Sequence, residues 1–386
     1  MEINPRSLKW LLSLFLVICL VIPVIFVFTF DLQYYFIPEV EFRQFYLFAL
    51  LYSIISIIIA GSLLKLYRGS EISRIPEWFR IVLGILWIVD GALQFQPEMP
   101  YGFLSVVLMP SIQAIPFNSL QSFVLIAYKA WEIAPIQFDA LSGALQIFIG
   151  ISFLINKSSR ALQITAYISI FWAALIWIFG EGFGGVPEPG VSLLIGFPGS
   201  SLIYVLMAIP FVSDKFNNPA FLKRFMKYSI VAVIITASII QLLPGNTYWT
   251  SGQLAYTIYQ NINMEGEPNS LAILLTMSYR SLLFHEWVLN VFFSLLFIVS
   301  AGLVIMEFRR GVFFVFGLVL AIWVIFQDMG IYILPSTDPN TGLPLAIFIL
   351  LYGLVISLSR GHQSNSIVEG NKGRSQQVRN YERKLQ

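Results

Sequence analysis

Apolar stretches of about 20 residues recur along the whole chain and are separated by short polar loops. A helix needs about 20 mostly apolar residues to cross a hydrocarbon core about 30 Å thick. Only 11% of the residues are charged and the mean hydropathy is +0.78, whereas soluble proteins carry about 25% charged residues. This pattern excludes a soluble enzyme. It predicts an all-α, polytopic transmembrane helical bundle embedded in the lipid bilayer.

Ten spans are expected from the apolar runs. They are 8–30, 44–65, 78–96, 136–156, 161–180, 193–213, 226–243, 286–306, 311–328 and 341–358. Two further stretches, 103–133 and 251–284, are apolar but interrupted by Pro, Asn, Gly or charge, which predicts interfacial or partly inserted helices. The first run is too long for a signal-peptide core and no small-residue cleavage site follows it, so we expect an uncleaved first span.

Basic residues predict the orientation. If odd-numbered spans run outward, 20 of the 23 Lys and Arg residues lie in cytoplasmic loops and in the C-terminal tail. The three exceptions are Arg43, Lys129 and Arg280. The positive-inside rule describes this bias, so we expect a multi-pass protein of the cell membrane with both termini in the cytoplasm. The net charge of +2 gives no argument for a nucleic-acid partner.

Three short motifs recur in the same order at an almost constant spacing. Gln-x-x-Pro begins at Gln94 and again at Gln241, and Trp-x-x-x-Glu/Gln runs from Trp177 to Glu181 and recurs ending at Gln327. Gly-x-Pro also occurs twice, at 196–198 and 342–344. These repeats predict a tandem duplication. Each copy has four spans, an even number, so both copies should have the same orientation in the membrane.

The repeat and the charge pattern together predict four regions. They are a two-span hairpin at 1–70, a first four-span unit at 75–213, a second four-span unit at 225–358 and a disordered basic tail at 359–386. The second unit loses charge, because Ala237 stands at the position of Asp90. We therefore expect any function to lie in the first unit and the second to be a degenerate copy.

Ionisable residues within a span are energetically unfavourable and normally face the bundle interior. Asp90 and Gln94 lie one helical turn apart, and Glu181 ends the fifth span. These side chains and Lys129 are predicted to converge on one pocket that opens outward. Asp90 and Glu181 are the candidate catalytic groups, and the candidate binding residues are Gln94, Gln96, Lys129, Trp87 and Trp177. The counterparts in the second unit are Gln241, Arg280, Gln327, Asp328 and His285.

Structural alternatives remain open for this cluster. Asp90, Gln94 and Glu181 would also suit a buried hydrogen-bonded clasp that fixes helix packing, and Lys129 would suit an anchor at the membrane interface. No metal site is expected, because the chain has one cysteine and two histidines. The glycines that follow Glu181 lack the Gly-Lys-Ser/Thr ending of a phosphate-binding loop.

The segment from Arg80 through Gly84 and Trp87 to Gln94 resembles the opening span of DoxX/DoxD-like membrane proteins, which are four-span units. The ranges 78–213 and 226–358 would each correspond to one unit. The resemblance implies a link to respiratory redox chemistry, because DoxD is the membrane subunit of a thiosulfate:quinone oxidoreductase. No intrinsic cofactor is expected, and the resemblance leaves open a bound quinone and other membrane or respiratory subunits as partners.

Three functions fit these observations. The first is a redox-associated subunit that binds a quinone or an oxyanion or sulfur compound at the polar cluster. The second is a proton-coupled transporter or permease. The third is a non-catalytic membrane anchor or assembly subunit. The sequence does not decide whether the chain is an enzyme.

Overall fold

A computed structural model describes residues 39–67, 71, 73–188, 190–244, 246–249, 252–262, 269–282, 286–330 and 335–357. These residues are helical and contain no β-strand. The expected span 8–30, the tail at 359–386 and His285 lie outside the described residues.

The helices are numbered in chain order. They are α1 (Glu39–Leu66), α2 (Glu77–Leu93), α3 (Met99–Gly102), α4 (Met109–Gln113), α5 (Asn118–Glu132), α6 (Pro135–Ile155), α7 (Ser159–Leu175), α8 (Ser200–Ala208), α9 (Pro219–Leu242), α10 (Gln253–Ile262), α11 (Asn269–Leu282), α12 (Glu286–Ile305), α13 (Arg309–Ile325) and α14 (Gly342–Ser357). Two π-helical segments, Phe103–Leu108 and Ile176–Gly180, join α3 to α4 and extend α7.

Within the described residues, five helical segments are long and apolar enough to cross a membrane. They are Glu41–Leu66, Pro135–Ile155, Ser159–Gly180, Pro219–Leu242 and Trp287–Ile305. The segments Ser200–Val212 and Gly342–Ser357 are apolar but shorter, and α2 and α13 have 17 residues each. The chain is therefore a helical protein with several potential membrane spans.

Helix ends follow local sequence signals. The Asn218 side chain caps α9 by accepting from the backbone N–H of Ala220 and of Phe221, and Pro219 occupies the first helical position. The predicted span 193–213 is wrong at its start, because the helix begins only at Ser200. Gly196 and Gly199 have φ values of 111° and 97°, which a right-handed helix does not contain.

Small residues bring neighbouring helices into backbone contact. A Cβ added to Gly84 would lie 2.8 Å from the carbonyl oxygen of Gly150, and one added to Gly91 would lie 2.8 Å from that of Gly143. This is the close approach that small residues permit between membrane helices. It fixes α2 against α6 and so sets the position of every side chain on α2.

A second helix pair, α9 and α12, is packed in a similar way. The Ser238 hydroxyl of α9 donates to the backbone carbonyl of Ser294 of α12 at 3.0 Å. Lys223 and Lys227 at the start of α9 pair with Glu307, just beyond the end of α12, at 2.9 and 3.1 Å. Arg80 of α2 likewise reaches the end of α6, where it donates to the carbonyl of Phe153 at 2.7 Å.

Candidate functional site

A cavity of about 290 Å³ lies beside α2. Its walls come from α2, the two π-helical segments, α5, α6, α7, α8 and the loop that precedes α14. Most of its lining is apolar and aromatic, and the polar lining residues are Asp90, Gln94, Ser142, Gln146, Glu181, Ser200, Ser201, Thr337 and Asp338. The structure thus brings Asp90, Gln94 and Glu181 to one place.

Helix α2 positions the first carboxyl group. Asp90 is 4% exposed, and its Oδ1 accepts a hydrogen bond from the Tyr204 hydroxyl at 3.0 Å. One turn earlier, the Trp87 Nε1 donates to the Ser169 hydroxyl at 2.9 Å, and the Trp87 ring lies 4.9 Å from the Tyr204 ring. One turn later, Gln94 Nε2 donates to the carbonyl of Thr337 at 3.0 Å. One face of α2 therefore presents three fixed side chains to the cavity.

The second carboxyl group, that of Glu181, sits at the N-terminus of α8. Its Oε1 accepts from the Ser200 hydroxyl at 2.7 Å and from the Ser201 N–H at 3.1 Å, and its Oε2 accepts from the Ser201 hydroxyl at 2.7 Å. The helix N-terminus stabilises a negative charge there. Gly199 permits the approach, because a Cβ at this position would overlap Glu181 Oε2.

The third carboxyl group, that of Asp338, comes from the loop between α13 and α14. Its Oδ1 accepts from the Asn340 N–H at 2.8 Å, and its Oδ2 accepts from the Thr337 hydroxyl at 3.1 Å. The sequence analysis did not single out Asp338. No sequence signal connects it to Asp90, 248 positions earlier, because only the folded chain brings the two together.

The electrostatics of the cavity are one-sided. Among the described residues that line it there is no lysine, arginine or histidine. Burial raises the pKa of Glu181 to about 7, with a further contribution from repulsion by Asp338. Burial also raises the pKa of Asp338 above its ordinary value. Glu181 therefore exchanges a proton near neutral pH, and burial favours the protonated form of Asp338 as well.

Lys129 does not lie in the cavity. Its side chain is exposed on α5, whereas Ala127 and Trp131 of the same helix line the cavity. Residues two positions apart on a helix face different directions, which explains the separation. The expectation that a cation meets the carboxylates here is therefore corrected by the geometry.

Gln96 and Trp177 lie near the cavity but do not line it. Gln96 is buried, and its Nε2 donates to the carbonyls of Leu93 and Ser336 at 2.7 and 2.6 Å. The Trp177 Nε1 donates to the carbonyl of Pro198 at 2.8 Å. Both side chains hold loops in place, so their role is positioning rather than contact with a ligand.

Two of the residues singled out in the second half of the chain, Gln241 and Gln327, contact the first half. Gln241 accepts a short hydrogen bond from the Ser192 hydroxyl and donates to Asn290 Oδ1 at 2.8 Å. Gln327 Nε2 donates to the carbonyl of Leu193 at 2.8 Å. Asp328 is buried beside it, and Arg280 is exposed near the end of α11. None of the four lines the cavity.

Sequence reasoning missed several residues of the cavity besides Asp338. They are Tyr204, Ser200, Ser201, Gln146, Trp131 and Trp172. Ser200 and Ser201 carry a recognisable signal, because two hydroxyl residues that directly follow a glycine and open an apolar helix are typical of a helix start. The aromatic residues carry no such signal, since they look like any lipid-facing residue in the sequence.

No family model matches the chain, and no curated protein or solved structure matches it either. The DoxX-like resemblance therefore stays a prediction from the motifs of α2. The functional argument depends on the geometry of the cavity.

Proposed function

We propose that the chain is a ten-span integral membrane protein built from two tandem units and an N-terminal hairpin. Equivalent positions make equivalent contacts, which supports the duplication. Arg80 and Lys227 stand 147 residues apart, and each binds the end of its partner helix. The close contact of Gly91 with Gly143 in α2 and α6 corresponds to the hydrogen bond from Ser238 to Ser294 in α9 and α12.

Contacts between the proposed units are reciprocal, as a pseudo-two-fold axis requires. Gln94 of the first unit donates to Thr337 in the last loop of the second. Its counterpart Gln241 bonds to Ser192 in the last loop of the first unit. The positive-inside bias supports the orientation with both termini in the cytoplasm, which places the cavity toward the outer side.

The proposed function is that of a proton-coupled carrier for a small organic molecule. One observation carries this proposal: three carboxyl groups meet in an aromatic cavity whose described lining contains no basic residue. Such groups bind protons or a cation rather than an anion. The same observation argues against an oxyanion as the ligand, since a buried anion would meet only like charge.

Proteoliposomes that contain the protein alone test the carrier proposal. Vesicles with a lumen at pH 6 in a bath at pH 8 are incubated with a small-molecule extract of the native cells, and accumulated compounds are identified by mass spectrometry. We expect at least one compound to accumulate in the wild-type vesicles and not after Glu181→Gln. Accumulation that persists when an ionophore collapses the pH gradient, or no accumulation at all, would contradict the proposal.

Glu188→Gln is the matched control for this experiment. Burial raises the pKa of Glu188 to about 7, as for Glu181, and the two residues lie in the same loop. Glu188 does not line the cavity. Transport by the Glu188→Gln variant should therefore match that of the wild type.

A quinone-binding subunit is the second candidate. The specific observation in its favour is the hydrogen bond from Tyr204 to Asp90 at 3.0 Å inside an aromatic cavity, which would suit proton transfer to a reduced head group. Solvent extraction of the purified protein tests it. Quinone that co-purifies with the wild type and is lost after Asp90→Asn would favour this candidate. If neither quinone nor transport is found, the anchor function is favoured.

A further inference from the structure

The geometry points to a small organic cation with an aromatic or apolar body as the ligand of the cavity, bound in exchange for protons on Glu181 and Asp338. This inference rests on the proposed carrier function and names its substrate class. Three features of the cavity support it: the aromatic walls, a buried oxygen without a hydrogen-bond partner, and acidic groups without a basic residue beside them.

Aromatic side chains form much of the wall. Trp87, Trp131, Trp172, Phe103 and Phe179 all line the cavity. The faces of such rings attract ammonium groups, and the attraction is strongest where water is excluded. A wall of this kind also packs against an apolar body, so it suits a cation that carries both.

Two of the indoles are held in place from outside the cavity. The Trp131 Nε1 donates to Asp139 Oδ1 at 2.8 Å, and the Trp131 ring lies 4.9 Å from the Phe103 ring. Asp139 does not line the cavity. The Trp87 N–H is bonded to Ser169, which does not line it either. Both rings are therefore oriented before a ligand arrives, which lowers the entropy lost on binding.

Unused hydrogen-bonding groups also point to a ligand. Gln146 is 3% exposed and lines the cavity, and its Oε1 has no hydrogen-bond partner among the described residues. A buried acceptor without a partner is energetically unfavourable. An ammonium or amidinium N–H of the ligand would satisfy this oxygen, and the polarised C–H groups of a quaternary ammonium would contact it more weakly. Gln146 thus gives a reason for a bound donor that is independent of the carboxyl groups.

The charge balance makes binding depend on pH. The titratable groups that line the cavity are Asp90 on α2, Glu181 before α8, Tyr204 on α8 and Asp338 in the last loop. Within the described residues they form no group able to hold a metal ion. A quaternary ammonium does not titrate, so a proton released when it binds must come from the protein. No covalent bond forms or breaks, and the exchange is one cation for one proton.

Benzyltrimethylammonium is a suitable probe, and calorimetry on the full chain in lipid nanodiscs measures its binding. We expect affinity to rise by up to about tenfold per pH unit between pH 5.5 and 7. Titrations in two buffers of different ionisation enthalpy should show release of about one proton per cation. Neopentylbenzene, the uncharged analogue, should bind at least about tenfold more weakly after subtraction of empty nanodiscs, because it lacks the charge.

Two variants and one control assign the effect to the cavity. Glu181→Gln and Asp338→Asn should each weaken cation binding and flatten its pH dependence, whereas Glu188→Gln should leave both unchanged. Proton release by the wild type needs no variant, so a variant that fails to fold does not remove the test. Equal affinity for the charged and uncharged probes, or binding independent of pH, would overturn the cation inference. Proton-driven accumulation of a neutral compound from the extract would then still support a carrier.

Discussion

In the proposed duplication, the region around Asp90 and the region around Ala237 share one packing arrangement. In the first, α2 packs on α6 and leaves a cavity of about 290 Å³ lined by carboxyl groups. In the second, α9 packs on α12 and Ala237 is fully buried among apolar side chains. The packing of the two helices therefore does not depend on the cavity. A few side chains decide whether the space beside the helices is open or filled.

Phenylalanines fill the second region. At the proposed repeat spacing of 151 residues, Phe293 and Phe297 stand at the positions of Ser142 and Gln146. Phe297 is 1% exposed, and its ring lies 6.4 Å from that of Phe293. Leu350 takes the position of Tyr204. The first region therefore has less apolar packing than the second, and polar groups surround the space that remains.

The largest expected effect comes from introducing the two phenylalanines of the second region at the corresponding positions of the first. Ser142→Phe combined with Gln146→Phe should occupy the cavity and lower the affinity for benzyltrimethylammonium by more than about 100-fold, because two rings take the space of the ligand. Calorimetry measures the affinity, and the elution volume in gel filtration controls for folding. Binding that survives both phenylalanines would mean that the ligand site lies elsewhere.

Removing a phenylalanine ring from the second region should have the largest effect on stability. Phe297→Ala opens a cavity in a packed region and should lower the free energy of unfolding by about 3–5 kcal/mol. Denaturant unfolding in mixed micelles measures this. Phe292→Ala is the matched control, because Phe292 is 53% exposed on the same helix, and its effect should stay within about 0.5 kcal/mol. Similar losses for both variants would show that the second region is not a packed core.

Substitutions at the contacts between α2 and α6 and between α9 and α12 test whether the two helix pairs pack equivalently. Gly91→Ala should lower the free energy of unfolding by about 1–3 kcal/mol, because the new Cβ would lie 2.8 Å from the Gly143 carbonyl oxygen. Ser238→Ala should lower it by about 0.6 kcal/mol through loss of one interhelical hydrogen bond. Gly61→Ala is the control, since nothing lies within 4 Å of the new Cβ. A Gly91→Ala variant as stable as the control would contradict the packing.

Stability should also depend on pH. Because the folded-state pKa of Glu181 is raised to about 7 from an ordinary 4.5, the folded protein binds more protons than the unfolded chain between these values. Stability should therefore be highest below pH 4.5 as far as this group is concerned, and should fall as pH rises through 7. Thermal unfolding between pH 5 and 8 measures the fall.

The ligand and two variants separate the contributions of individual groups to this decrease in stability. Glu181→Gln and Glu188→Gln should each flatten the dependence in part, since burial raises both pKa values to about 7. Benzyltrimethylammonium should restore stability at pH 8 in the wild type and in Glu188→Gln. Restoration in Glu181→Gln to the same degree would separate the stabilising site from the cavity.

Much of the helical architecture could be predicted because apolar runs have the length that a membrane requires. The predicted runs 136–156 and 286–306 match α6 and α12 to within one residue. The start of α8 was mispredicted, because apolar content continues through 193–199 while the two left-handed glycines interrupt the helix. A hydropathy pattern does not indicate the positive φ values of Gly196 and Gly199, which depend on the folded structure.

The candidate site could be predicted where a polar or charged residue interrupts or ends an apolar run, as at Asp90, Gln94 and Glu181. Asp90 and Gln94 lie one turn apart on α2, and the spacing alone places them on one face. The position of Lys129 was mispredicted because depth in the membrane does not determine the direction in which a helix turns a side chain. Asp338 and Tyr204 reach the cavity through packing between distant segments, which no local pattern encodes.

The loop that carries Thr337 and Asp338 has a consequence for biosynthesis. A ribosome has made more than 330 of the 386 residues before it reaches this loop. Until then the nascent chain lacks one of the three acids and the carbonyl that binds Gln94. In the proposed carrier, the proton-exchanging centre is thus complete only once this loop and α14 have been made and packed, so a half-made chain in the membrane would lack it.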